Sequence, residues 1–117
     1  MELQLKNGDY VPDGKGGFVR SEGAEEELGR VLFLLTARRG AFSLLPELGS
    51  KLYLLPREKP ARWQSLAEEY VAQALQGEEG LALQSVTVTP REDGGAEIAA
   101  KLNWKGQSLE AAVEVNP

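Results

Sequence analysis

The apolar positions change period along the chain, and the changes mark the elements. Near the start Leu3 and Leu5 alternate with polar neighbours. Asn7-Gly8, Pro12-Asp13-Gly14 and Gly16-Gly17 then impose turns, because glycine and asparagine accept positive φ at little cost. With Phe18 and Val19 beyond them, this stretch predicts one or two short strands, an N-terminal hairpin. From residue 24 to 38 the period becomes helical: Leu28, Val31, Leu32 and Leu35 fall at i, i+3, i+4 and i+7. Ser21 is placed to cap this helix. Glutamates crowd its start, Arg38 and Arg39 its end, as the helix dipole favours, and Gly40 offers a left-handed stop. Phe33 and Leu34 widen the stripe, which predicts a helix buried on more than one side.

Residues 42–55 are rich in leucine but broken by Pro46 and Gly49, so a closely packed loop with a helical turn near Leu52 is expected. Such a loop needs a core beneath it or a partner above it. Pro60 opens a second helix, in which Trp63, Leu66, Ala67, Tyr70, Val71, Ala74 and Leu75 form one stripe and Gly77 supplies the close. From Leu81 the period is two. Leu81 and Leu83 are out of phase with Val86 and Val88, which a bulge near Gln84-Ser85 reconciles. A two-residue turn at Lys105-Gly106 pairs Trp104 with Gln107. Counting back sets Leu102 opposite Leu109, Ala100 opposite Ala111, Ile98 opposite Val113 and Lys101 opposite Glu110. The turn at residues 91–95 adds the strand around Val86 and Val88. The predicted fold class is α+β, with two amphipathic helices on one face of a small antiparallel sheet and the hairpin in front.

Composition changes this picture by exclusion. At 117 residues one domain, 1–117, is the expectation. Neither cysteine nor histidine is present, which removes disulfides, thiolate or imidazole metal sites and the commonest general base. No secretory leader is evident at the start and no apolar run approaches a membrane span, which favours a cytoplasmic protein. The net charge of −5 argues against a nucleic-acid surface, and neither a membrane nor a cofactor is expected. Charge is uneven, however. Residues 36–62 hold six basic residues against two acidic ones, a net +4, leaving −9 on the rest. That stretch is either a solvated loop or a dock for an acidic partner.

The chemistry left is thin. Neighbouring acids such as Glu78-Glu79 and Glu92-Asp93 arise by chance among eighteen, and a glycosidase needs two carboxyls about 5 to 10 Å apart across a cleft. Ser50-Lys51 lacks the motif of a serine–lysine dyad. The glycine stretches match neither phosphate-binding pattern. Trp63 and Tyr70 lie in a core stripe, whereas Trp104 ends a strand and could stack a ligand. No catalytic residue is assigned, and an enzyme is not expected.

The order of elements, with RRGAFSLLPELGSKLYLL between the helices and EEGLALQSVTV after them, resembles the small baseplate-wedge family of contractile phage tails and related injection machines. That family includes phage protein W and proteins long labelled tail lysozyme. Gly40, Phe42, Pro46, Gly49, Ser50 and Leu52 follow its central pattern, with Ala41 where an acid is usual. Glu78 matches the first residue of its Glu-Pro-Arg site, while Glu79 and Gly80 replace the other two. The resemblance spans about residues 28–88. It implies a scaffold in the inner baseplate that contacts other wedge proteins and sheath subunits, partly by strand addition. On that reading Gly40, Phe42, Pro46, Gly49 and Ser50 shape the central loop. Arg38, Arg39 and a strand edge at Val113 and Val115 meet partners, and the isolated chain is a monomer. The competing readings are an unrelated α+β adaptor domain and a peptidoglycan-cleaving hydrolase.

Overall fold

The computed structural model describes residues 3–6, 9–11 and 22–117, with side chains from residue 23 onward. The Ser21 cap and the strand at Phe18 and Val19 lie outside the described residues. Two short strands, β1 (Leu3–Lys6) and β2 (Asp9–Val11), precede helix α1 (Glu22–Thr36). Short 3₁₀ turns at Leu52–Arg57 and Pro60–Arg62 lead into α2 (Trp63–Ala74). Strands β3 (Leu81–Pro90), β4 (Ala96–Trp104) and β5 (Gln107–Val115) complete the chain.

The β4–β5 hairpin has the register that alternation predicts, from Ala96 opposite Val115 to Trp104 opposite Gln107, with Lys101 across from Glu110. Lys105 and Gly106 both take positive φ, 50° and 88°, the two-residue turn whose twist suits a hairpin. Asn103 Oδ1 accepts the Gly106 N–H at 3.0 Å and locks it. β3 lies antiparallel to β4, and its register slips between Leu83 and Ser85, so the bulge falls at Gln84. The class is α+β, as expected.

The N-terminal hairpin joins this same sheet. β1 runs parallel to β5, Leu3 beside Leu109 through Lys6 beside Ala112, giving the strand order β2-β1-β5-β4-β3. The expected open edge of the terminal hairpin is thus taken by β1 from Leu109 to Ala112. β5 is interior, and Val113 and Val115 are core residues.

One face of the sheet carries the core. α1 lies over β5 and β1, and α2 over β3. Ala24, Leu28, Val31 and Leu35 of α1 and Leu66, Ala67 and Val71 of α2 meet Ile98, Ala100, Leu102, Leu109, Ala111 and Val113. Each large aliphatic side chain so buried contributes about 1.5 to 3 kcal/mol. Two details differ from the pattern. Phe33 is half exposed, so α1 is buried along one stripe only. α2 ends at Ala74, and the left-handed residue after it is Gly80 (φ 73°), not Gly77. No helix among the described residues is long and apolar enough to cross a membrane.

Candidate protein-contact surface

The segment between α1 and the first 3₁₀ turn is clamped at its base. Ser50 N donates to Ala37 O (2.8 Å) and Arg39 N to Ser50 O (3.0 Å). The buried Ser50 hydroxyl donates to Leu35 O at 2.7 Å, satisfying a carbonyl at the end of α1. Gly49 makes the clamp possible. Its φ is +100°, and a Cβ there would stand 2.5 Å from Ala37 O. The Ser50 hydroxyl is thus committed to the end of α1, while Gly40 (φ +92°) turns the chain outward.

Above the clamp, residues 41–47 leave the core altogether. Leu44 is 92% exposed, Leu45 59%, Phe42 43% and Phe33 47%. This corrects the expectation of a closely packed loop. Turn hydrogen bonds, Leu45 N to Phe42 O and Leu48 N to Leu45 O, give the segment its shape from within. The Phe42 and Phe33 rings lie 6.2 Å apart and tilted, joining the loop to the exposed side of α1. Two grooves flank the cluster. One of about 780 Å³ runs between Leu44, Pro46, Leu48 and the end of α2, and one of about 640 Å³ between Phe33, Leu34 and Leu48.

The two arginines part company. Arg38 is exposed beside the cluster, its guanidinium 5.1 Å from the Tyr53 ring centroid. Arg39 turns inward, where Nη2 donates to Gln73 O at 3.4 Å, a cation at the carbonyl end of α2. Its Nε is buried without a partner. Arg39 thus caps the end of α2 while still lining the larger groove.

Glu78 sits at the rim of both grooves. It takes a two-pronged contact from Arg30 of α1, Nε to Oε1 at 3.0 Å and Nη2 to Oε2 at 2.9 Å. Glu27 lies beside it, 8% exposed, and its Oε2 meets no donor while both carboxyls are ionised. The Glu27 and Glu78 carboxyls interact directly. Burial, then the hydrogen bond and charge of Glu78, raise the Glu27 carboxyl above its ordinary range, and Arg30 holds Glu78 below it. Sequence reading missed this pair because 51 positions separate its members. Its one sign was a glutamate inside the apolar stripe of α1, between Ala24 and Val31.

Trp104 packs against the start of α1, with Gly23 leaving room for its ring, and Lys105 Nζ lies 4.8 Å from it. Asp93 builds the β3–β4 turn by accepting the Gly95 N–H at 2.9 Å. Among the described residues no group of three or more acidic side chains is placed to hold a metal.

Neither family sequence profiles nor curated protein sequences match the chain. Among solved structures it matches the crystal structure of a Geobacter sulfurreducens protein that carries the provisional name tail lysozyme. The TM-score is 0.67 at 22% identity, over 86% of this chain and 96% of that one. The likeness is one of fold. It spans nearly all of that protein, so both share one set of elements in one order.

Proposed function

We propose that this chain is a structural component of a phage-type contractile tail, working in the baseplate by protein–protein contact and without catalysis. One observation carries the reading: a clamped loop that presents Phe42, Leu44 and Leu45 to solvent beside Phe33. Its hydrogen bonds are internal and its base is fixed, so the exposure is built in and marks a surface to be covered. The shared fold with a tail-named protein and the match of Gly40, Phe42, Pro46, Gly49 and Ser50 to the wedge pattern support the same reading. Strand addition along Leu109–Ala112 is no part of it, because β1 already pairs there. Size-exclusion chromatography with the sheath and wedge subunits of the same tail tests it. The native chain co-elutes with at least one of them, and Leu44→Asp/Leu45→Asp does not. A native chain that elutes alone from all of them overturns it.

The neighbour's provisional name raises a second reading, and the pair with carboxyl pKa values pushed apart is what a hydrolase would be expected to show. Two points weigh against it. The Glu27 and Glu78 carboxyls interact directly with each other, and Arg30 occupies both oxygens of Glu78. The expected result is no clearing of a peptidoglycan suspension. Clearing that Glu78→Gln abolishes would replace the scaffold reading with an enzymatic one.

A further inference from the structure

The geometry points to Gln64 as an edge guard: its carboxamide stands in for a neighbouring strand and keeps β3 from pairing with a second copy of this chain. β3 is the outer strand of the sheet, ten residues long, and its inner side is taken by β4 throughout. Its sequence, LALQSVTVTP, contains no charged residue and includes the β-prone run Val86-Thr87-Val88-Thr89. The usual protection of an exposed edge, a lysine or glutamate along the strand, is therefore missing.

Gln64 on α2 takes its place. Its Nε2 donates to Val86 O at 2.6 Å, and Val88 N donates to its Oε1 at 3.3 Å. A carbonyl and an N–H two residues apart, flanking Thr87, are the pair that one residue of a parallel neighbouring strand would engage. The side-chain amide thus stands in for the N–H and C=O of one residue of a sixth strand. In a strand the N–H and C=O of one residue point to the same side, so the next outward position is Pro90, which has no N–H to offer. Towards the other end, the bulge at Gln84 breaks the ladder. Between bulge and proline, Val86 and Val88 are where an incoming strand could dock, and Gln64 takes the central pair of outward groups there, the Val86 carbonyl and the Val88 N–H.

A purely structural role for Gln64, holding α2 to the sheet, makes a different prediction. Gln64 is exposed, and the α2 stripe of Leu66, Ala67 and Val71 docks the helix without it. Loss of the amide should therefore alter association more than stability.

The test compares the full chain with Gln64→Met, which keeps side-chain length and helix propensity, and with Gln64→Ala, by light scattering across a concentration series. Thermal melts on the same samples confirm folding. The native chain is monomeric, and both variants self-associate roughly tenfold or more strongly, the equivalent of about one hydrogen bond's net worth. Adding Val88→Pro to Gln64→Met removes the outward donor without touching the β4 ladder, and restores the monomer. Variants that stay monomeric overturn the proposal. Association that Val88→Pro fails to reverse also overturns it, since contact would then run through another surface such as the leucine loop.

Discussion

Glu27 occupies a place that the stripe of α1 reserves for an apolar side chain, and its environment decides how it ionises. Unfolded, it titrates in the ordinary carboxylate range; folded, burial and Glu78 keep its proton on to higher pH. The folded state then binds the extra proton. This contribution to stability is full below the ordinary value and is lost as pH rises through the raised one. Glu78 runs the other way: with its folded value lowered by Arg30, it stabilises above the ordinary range and fails as pH falls through the lowered one. Glu27→Gln separates the two, because its amide donates to Glu78 at every pH. The variant should be more stable than the native chain by about 1 kcal/mol at pH 7, with the two merging near about pH 4. Melting curves from pH 4 to 8 check this, and a variant less stable than the native chain at pH 7 but not at pH 4 would mean that the fold uses the Glu27 charge. Gly49 is the other residue with a sharp expectation. Any side chain there meets Ala37 O and a strained φ, so Gly49→Ala should cost about 2 to 4 kcal/mol in a denaturant titration.

Among the elements, legibility in the sequence follows the range of the interactions. The β4–β5 register was readable because four apolar pairs and one charge pair agree about a two-residue turn, all within about twenty residues. The bulge was readable from the phase slip between Leu83 and Val86. The leucine loop was readable only in composition. Whether Leu44 and Leu45 turn inward depends on the clamp below them, and Ser50 meeting Leu35 and Ala37 is a tertiary fact. Arg39 escaped for the same reason: two adjacent arginines look alike until one meets the end of α2. Because the loop leaves the core, its surface separates from the fold energetically. Leu44→Asp/Leu45→Asp should keep the native melting temperature, within the roughly 0.5 kcal/mol usual for exposed substitutions, while losing partner binding. A large drop in melting temperature would show that the leucines pack into the fold.

At the scale of the whole molecule, the pairing of β1 with β5 closes the longest loop in the chain. Leu3 lies beside Leu109, and only four residues on each side make the contact. Nothing in a four-residue alternation names a partner so distant, which is why the hairpin was legible and its place in the sheet was not. The closure also predicts how stability is distributed. β4 and β5 are locally paired and supply most of the sheet's core residues, whereas β1 adds four pairings against the entropy of closing more than one hundred residues. Hydrogen exchange should therefore show two tiers. Amides of β4 and β5 should open only with global unfolding, and those of β1 and β2 at a free energy lower by several kcal/mol. The gap should narrow as denaturant is added, because local opening of β1 leaves the core of Ile98, Leu102 and Leu109 intact and exposes far less surface than global unfolding does. Were β1 to exchange as slowly as β5, the parallel strand would belong to the cooperative unit. The chain would then fold around its most distant contact, and α1, which lies over both β1 and β5, would be the element joining them.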